Sequence, residues 1–212
     1  MKFKVTLATF FLSIFLVYSQ KKEIYVNDDL KEITIKKFNK KEHYHTYQIH
    51  IELDSLIIHA KVINNKKGKI SKSLLDTIRS QLTSLSNKKI PKNHIIVINY
   101  YHGKDRCNSG GDFSFARKKM NGYRRRISRE KNVSQFFMYK SDEGIEKYGK
   151  KLEWIPDTFD TIRKLFLPLP YPCGSFVLID SYGNFYASRG EYNSDIITKL
   201  LRDTENTFSG KL

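Results

Sequence analysis

Cysteine and proline are scarce in this chain, and the better-known catalytic signatures are missing. Its 212 residues include two cysteines and five prolines. The sequence has no Gly-x-Ser-x-Gly, no phosphate-binding loop and no zinc-protease motif, so it gives no support to the enzyme classes that those motifs mark. It also has no heptads, internal repeats or low-complexity tracts, which excludes coiled coils and repeat arrays. What remains is a globular chain with few chemical landmarks.

The N-terminus has the pattern of a secretory signal peptide. Lys2 and Lys4 precede an apolar run over residues 5–17, and small residues follow, which places the predicted cleavage between Ser19 and Gln20. The alternative is a membrane anchor, but a bilayer span needs about 20 apolar residues. No cysteine follows the run, which argues against a lipid-modified N-terminus. We therefore predict a signal peptide over 1–19 and a periplasmic or secreted mature protein without a transmembrane segment.

Acidic residues are in deficit. The chain has 22 Asp and Glu against 38 Lys and Arg, a formal net charge of +16. A strongly positive protein attracts anionic partners at long range. For an exported protein we expect that partner to be an anionic component of the cell envelope or another protein, and not nucleic acid. The alternative is that the basic composition, rich in Lys, Asn and Ile, reflects only an AT-rich genome.

The first half of the mature chain is predicted to pass from strands to alternating strands and helices. Residues 45–53 alternate and residues 56–63 are rich in β-branched side chains, which indicates half-buried strands. Residues 64–68 have the composition of a turn. Ser71 opens a helix with leucines at helical spacing, and the apolar run at 94–101 is typical of a strand buried on both faces.

The second half continues the alternation. The predicted elements are, in order, a helix over 113–131, a strand over 133–139, a helix over 157–167, a hairpin of strands 175–180 and 185–188, and a helix capped by Asn193. Alternating strands and helices followed by a hairpin and a helix predict an α/β sandwich around a mostly parallel sheet.

This order of elements resembles the thioredoxin-like fold superfamily, in particular its periplasmic redoxin-like members. The resemblance depends on the buried strand 95–101, the cysteine-bearing loop that leads into a helix, and the segment 174–184, which reads GSFVLIDSYGN. It covers the chain from residue 56 to the C-terminus. It implies a thioredoxin-like three-layer sandwich over 56–212, preceded by a β extension over 20–55.

The sequence departs from this family in two places. The family's working motif is Cys-x-x-Cys at the start of the helix, whereas the loop over 102–111 contains Cys107 alone. The family also has a cis-proline just before the hairpin strand, and Gly174 holds that place here. The approach loop of peroxiredoxins, with its Pro and Thr, is absent as well. These departures argue against thiol–disulfide exchange of the usual kind and against peroxidase activity.

The resemblance implies that Cys107 and Cys173 lie side by side. An even number of cysteines in an exported chain also favours a bridge, so we predict a disulfide between them. The leading hypothesis is a non-enzymatic binding or structural role in the cell envelope, with the bridge as a staple. The alternative is a thiol–disulfide oxidoreductase in which Cys107 attacks and Cys173 resolves. Lys104, Arg106 and the following helix start would then favour a Cys107 thiolate.

A third hypothesis is a basic anionic-surface binder, because the helix after Cys107 is strongly basic. Its candidate patch is Arg117, Lys118, Lys119, Arg124, Arg125, Arg126 and Arg129. Such a helix can attract anionic surfaces, or its charges can simply be solvated. Phe113, Phe115 and Tyr123 are expected to pack on the sheet.

Histidines concentrate in the N-terminal strands. His43, His45, His50 and His59 all fall in this region. A metal site needs three or four converging ligands, and their spacing fixes no such arrangement. We therefore predict no metal site and no cofactor, and expect polar side chains on a solvated face.

Overall fold

The computed structural model describes residues 21–41 and 45–209. The predicted signal peptide, its cleavage site and His43 lie outside the described residues. The chain separates into two compact units. One contains the described residues up to Lys40 together with Gln48–Lys61, and the other contains the remaining described residues. None of the helices described here combines the length and hydrophobicity that crossing a bilayer requires.

The smaller unit is built on a three-stranded sheet of order β1-β3-β2. Strand β1 (Lys22–Asn27) runs parallel to β3 (Leu56–Ile63). Helix α1 (Ile35–Asn39) follows β1, and β2 (Thr46–Glu52) forms the other edge. Helix α1 begins because the Thr34 hydroxyl accepts a hydrogen bond from the backbone N–H of Lys37, the usual N-cap arrangement.

The larger unit contains a six-stranded sheet of order β4-β9-β8-β5-β6-β7 and five helices among its described residues. Its elements are β4 (Asn65–Lys69), α2 (Lys72–Ser86), β5 (Ile95–Tyr101), α3 (Phe113–Ile127), β6 (Val133–Tyr139), two 3₁₀ turns (Ile145–Tyr148 and Lys150–Leu152), β7 (Trp154–Pro156), α4 (Thr161–Phe166), β8 (Ser175–Ile179), β9 (Asn184–Ser188), α5 (Asp195–Arg202) and α6 (Thr204–Phe208).

The arrangement around β5 defines the fold. Strand β5 runs parallel to β6 through the crossover helix α3, and antiparallel to β8, which forms a hairpin with β9. Helix α5 follows this hairpin. A parallel β-α-β unit joined to an antiparallel β-hairpin and a final helix is the thioredoxin-like α/β fold, so the fold prediction is confirmed. The expected mostly parallel sheet is wrong, because three of the five strand pairings between the described residues are antiparallel.

Helices α3 and α5 bury one face of this sheet. Their buried residues Tyr123, Ile127 and Ile197 form one cluster with apolar side chains of the strands, including Val97 and Phe176. The side chains of β5 that point to the opposite face, such as Ile96 and Ile98, are equally inaccessible. A strand that is covered on both faces and hydrogen-bonded on both edges must be apolar almost throughout. This requirement explains the continuous apolar run over 94–101.

The segment predicted as a turn at 64–68 is mostly the edge strand β4. Its backbone pairs antiparallel with β9, and its lysines suit an edge strand, where charged side chains keep the open edge soluble. Gly68 is required by packing, because a Cβ atom at this position would lie 2.7 Å from the ring of Phe185. The lysine and glycine content therefore marked a sheet edge and not a turn.

Two predicted helices are shorter in the structure. Helix α3 ends at Ile127, with its Ser128 cap, and not at residue 131. Helix α4 begins only after Asp160, whose φ of +57° places it in the left-handed region and so interrupts the predicted helix over 157–167. Helices α1 and α6 and strand β7 were not predicted, because five-residue and three-residue elements carry too little periodicity to be recognised.

Candidate functional site

Cys107 and Cys173 form the predicted disulfide. Their Cα atoms are 5.2 Å apart, although 66 positions separate them in sequence. Cys107 lies in the loop between β5 and α3, and Cys173 lies just before β8. Strands β5 and β8 are neighbours in which Tyr100 pairs with Ser175. The loop that leaves β5 and the loop that enters β8 therefore meet at the same edge of the sheet.

Asp105 holds the two halves of the bridge together. Its Oδ1 atom accepts a hydrogen bond from the backbone N–H of Asn108 at 2.8 Å, and its Oδ2 atom accepts one from the backbone N–H of Cys173 at 2.8 Å. Cys173 has a φ of +66°, which is uncommon for a residue with a side chain. The Asp105 carboxylate thus fixes a backbone conformation that the chain would not readily adopt alone.

Asn108 anchors the Cys107 loop from within. This buried residue donates from Nδ2 to the carbonyl oxygen of Gly103 at 3.0 Å and accepts at Oδ1 from the backbone N–H of Asp105 at 3.1 Å. The ammonium group of Lys147 donates to the carbonyl oxygen of Asn108. Burial lowers the pKa of Lys147, partly offset by nearby Asp105. The loop is therefore held at several points independently of the bridge.

The two cysteines differ in exposure to solvent. Cys107 is an exposed residue, whereas Cys173 is only partly accessible. The two sulfurs and a carboxylate oxygen of the exposed Glu191 all lie within 4.8 Å of one another. The bridge therefore joins an exposed cysteine to a partly buried one, with a carboxylate beside the two sulfurs.

The start of helix α3 is already capped by a carboxylate. Asp112 accepts hydrogen bonds from the backbone N–H groups of Ser114 at 2.6 Å and Phe115 at 3.4 Å. Hydrogen bonds from the Ser114 hydroxyl and backbone lower the pKa of Asp112. Because Asp112 occupies these donors, the helix start does not favour a Cys107 thiolate as the sequence suggested.

A cavity of about 360 Å³ opens beside the bridge, which is large enough for an amino-acid side chain or a small ligand. Both cysteines contribute to its lining. Its apolar and aromatic walls include Phe115, Met120, Tyr148, Trp154 and Tyr192. Ligand sites in proteins typically combine such walls with a few polar groups.

The polar end of this cavity is a buried amide. The Oδ1 atom of Asn99 on β5 lies 2.8 Å from the hydroxyl of Tyr123 and 3.2 Å from that of Tyr192, both of which can donate to it. The Asn99 Nδ2 atom donates to the carbonyl oxygen of Phe136 at 3.3 Å. With these hydrogen bonds satisfied, the inner wall is fixed in place.

A larger open cleft of about 830 Å³ adjoins the cavity. Tyr148 and Trp154 line both of them, with their ring centroids 5.7 Å apart. The far side of the cleft is formed by the exposed side chains of Lys150 and Lys151. The cavity and the cleft therefore share an aromatic wall, and the two together are called the trough.

The predicted basic patch does not form a single free surface. Arg117 donates to the backbone carbonyl oxygens of Lys147 at 3.2 Å and Glu146 at 3.3 Å. Arg126 pairs with Asp195 at 2.6 Å, and Arg124 is half-buried. The remaining members, Lys118, Lys119, Arg125 and Arg129, are exposed.

The aromatic residues of α3 divide into two groups. Tyr123 packs on the sheet as predicted. The same prediction is wrong for Phe113 and Phe115, which are 43% and 65% exposed. Both lie in the first turn of the helix, before it reaches the sheet, and Phe115 lines the mouth of the cavity.

The histidines of the smaller unit form a pair. The Nδ1 atoms of His50 and His59 are 2.6 Å apart, and the His59 ring stacks on Tyr25 with ring centroids 4.8 Å apart. The Nε2 atom of His59 lies 3.4 Å from a carboxylate oxygen of Glu23. Within 21–41 and 45–209, these histidines belong to no group of three ligand side chains close enough to share a metal ion.

His102, at the start of the Cys107 loop, is expected to make folding sensitive to acid. Its Nε2 atom is buried without a hydrogen-bond partner in the described part of the chain. Desolvation, with a smaller contribution from Arg163, lowers the pKa of His102 from 6.5 to about 3. Below about pH 6.5, His102 therefore binds a proton in the unfolded chain but not in the folded chain. The free energy of unfolding falls as the pH drops, because protonation stabilises the unfolded state.

We expect His102 alone to remove about 2 kcal/mol of stability between about pH 7.5 and pH 5. Urea unfolding at both pH values measures the loss. In His102→Phe, which retains an aromatic ring beside Tyr100, the loss should shrink by that amount. The exposed His45→Gln variant is the control and should behave like the parent. An equal acid dependence in His102→Phe and the parent would show that His102 does not cause it.

Several residues of this site gave no signal in the sequence. Asp105, Asn108, Lys147 and Glu191 act through contacts with residues distant in the chain or through backbone geometry. The Asp–x–x–Asn spacing of residues 105–108, typical of a side-chain-stabilised turn, was the one local clue.

Comparisons with known proteins support no closer assignment. The sequence matches no protein-family model and no curated protein. The solved structures that superpose on part of the chain include the following two. One is the pneumococcal exposed lipoprotein thioredoxin Etrx1 of Streptococcus pneumoniae, with 10% identity, a TM-score of 0.38, and coverage of 53% of this chain and 86% of that one. The other is a secreted Mycobacterium tuberculosis disulfide oxidoreductase homologous to E. coli DsbE, with 12% identity, a TM-score of 0.36, and coverage of 57% and 84%. The strand order and directions described above define the fold.

Proposed function

We propose that this protein exchanges its Cys107–Cys173 disulfide with the thiols of partner polypeptides outside the cytoplasm. The observation that carries the proposal is the exposed residue Cys107, which lines an open, aromatic-walled cavity together with Cys173. A buried bridge would favour the alternative, a structural staple. Disulfides persist in oxidising compartments, which agrees with the signal peptide predicted over residues 1–19.

The exchange step follows from the different exposure of the two cysteines. A partner thiolate attacks the Sγ atom of Cys107, the S–S bond breaks, and Cys173 leaves as a thiolate that takes up a proton from water. A second partner thiolate then attacks the partner sulfur of the mixed disulfide and releases Cys107. The partner gains a disulfide, and this chain gains two electrons and two protons. In reverse, the reduced Cys107 attacks a partner disulfide and Cys173 resolves the intermediate.

The surroundings of the bridge favour the reverse direction, in which partner disulfides are reduced. The carboxylates of Asp105 and Glu191 lie close to the cysteines and disfavour their thiolate forms. Disulfide proteins become strong oxidants when their reduced form is stabilised. Here the nearby carboxylates destabilise the reduced form, so we expect a low reduction potential, which makes the reduced protein a reductant.

The Glu191→Gln variant tests this electrostatic account. Removing an exposed negative charge near the sulfurs should stabilise the reduced form and raise the reduction potential by about 10–20 mV. Equilibration with glutathione buffers, followed by quantification of free thiols, measures the potential. Glu205→Gln, on helix α6, is the charge-matched control. A potential that falls or does not change in Glu191→Gln would contradict the proposed role of the carboxylate.

Catalysed reduction of a disulfide-bonded peptide tests the function itself. With a slow thiol reductant present, the protein should accelerate cleavage, and both Cys107→Ser and Cys173→Ser should bring the rate down to that of the reductant alone. The Asp142→Asn variant, altered at an exposed residue outside the site, should retain full activity. If the unaltered protein does not accelerate cleavage, the bridge is a structural staple and the proposal is wrong.

A further inference from the structure

Helix α3 forms one wall of the trough beside the disulfide, and its Arg117 and Lys119 line that wall. Helix α3 contains six Lys and Arg residues and no Asp or Glu. On the other side, Lys150 and Lys151 make no ion pair and no side-chain hydrogen bond with the described part of the chain. An exposed lysine pair opposite a basic helix produces a local positive potential that attracts anions.

Two of the four acidic residues that line the trough already have partners. Asp112 caps helix α3, and Glu153 pairs with Lys88. Glu146 remains in the cleft, and Glu191 lies at the bridge. The cleft therefore keeps an excess of positive charge at the end away from the disulfide, while its aromatic end adjoins Cys107.

We infer that the partner is an acidic polypeptide segment, with an apolar side chain beside its cysteine and carboxylates further along. This inference rests on the proposed exchange at Cys107. The 360 Å³ cavity has room for one apolar side chain against Phe115 and Trp154. From there the chain continues into the cleft, where its carboxylates meet Lys150 and Lys151. An extended polypeptide suits this shape because it presents apolar and acidic groups in sequence along the trough.

The test compares two peptides that differ only in charge. Each has a central cysteine flanked by leucines, and its outer positions are all glutamates or all lysines. At low salt the oxidised protein should react about tenfold faster with the glutamate peptide, and salt should reduce this ratio by screening. In Lys150→Glu/Lys151→Glu the preference should disappear. The control is Lys72→Glu/Lys89→Glu, which makes the same charge change at two exposed positions, one in α2 and one just after it. This variant should keep the preference for the glutamate peptide.

Binding is measured separately from exchange. Trp154 is the single tryptophan of the chain and lines both spaces, so its fluorescence reports occupancy. Serine versions of the two peptides cannot exchange, and we expect only the acidic one to change the Trp154 emission. If the acidic serine peptide binds but neither cysteine peptide exchanges with the bridge, the proposed function is wrong, whereas the inferred preference for acidic segments stands. Exchange with equal rates for both peptides, or an equal response to free dicarboxylates, would refute the inference and leave the function standing.

Discussion

Replacement of both cysteines, in Cys107→Ser/Cys173→Ser, will lower the free energy of unfolding by about 4 kcal/mol. The bridge closes a loop of 66 residues, and the chain-entropy model assigns this stabilisation to the freedom that the unfolded chain loses. A typical domain has only about 5–15 kcal/mol in total. Urea unfolding of the oxidised protein and the double variant measures the difference.

The reduced parent protein serves as the control for this comparison. It has the same side chains as the oxidised form without the covalent link, so it should unfold at nearly the same urea concentration as the double variant. A difference below about 1 kcal/mol between oxidised and reduced protein would contradict the chain-entropy account, because it would mean that the bridge hardly restricts the unfolded chain.

The second large effect is expected for Asp105→Asn, which should cost about 3 kcal/mol. Both carboxylate oxygens accept from backbone N–H groups, those of Asn108 and Cys173, each at 2.8 Å. An amide retains one acceptor but directs its NH₂ group at the other N–H donor. The variant thus loses one charge-assisted hydrogen bond and leaves a partly buried donor unsatisfied. Urea unfolding under oxidising conditions measures the loss.

Asp142→Asn is the matched control for this substitution. Asp142 is an exposed residue of a neighbouring loop, and its side chain makes no hydrogen bond or ion pair with the described residues. The same chemical change should therefore alter the free energy of unfolding by less than about 0.5 kcal/mol. If Asp105→Asn were equally mild, the carboxylate would not be what holds Cys173 against the Cys107 loop.

The fold could be predicted where burial leaves a strong pattern. Strand β5 is apolar throughout because it is covered on both faces, and the β8–β9 hairpin is marked by the Asp180–Asn184 turn, in which Asp180 accepts hydrogen bonds from the backbone of Tyr182 and Asn184. Together these elements determine which loops meet. The pairing of Cys107 with Cys173 followed from the family resemblance, because neighbouring strands bring their adjoining loops together.

The chemistry of the site was harder to predict because it depends on contacts between distant residues. Asp105 and Cys173 lie 68 positions apart and meet through one side-chain-to-backbone hydrogen bond, which leaves no pattern in the sequence. The exposure of individual side chains could not be predicted from the sequence either. Phe115 has helical spacing compatible with burial, yet lies ahead of the point where α3 reaches the sheet. The edge strand β4 was not predicted, because its pairing with β9 is made by backbone atoms and requires no particular side chains.

The most direct test of the account is to find which sulfur a thiol attacks. The folded, oxidised protein is treated briefly with a cysteine-containing peptide, quenched with acid, and digested to map the mixed disulfide by mass spectrometry. Because Cys107 is exposed and Cys173 is only partly accessible, we predict the adduct on Cys107, with Cys173 as a free thiol. An adduct mainly on Cys173, or one that forms only after denaturation, would contradict the proposal that this bridge is an exchange site.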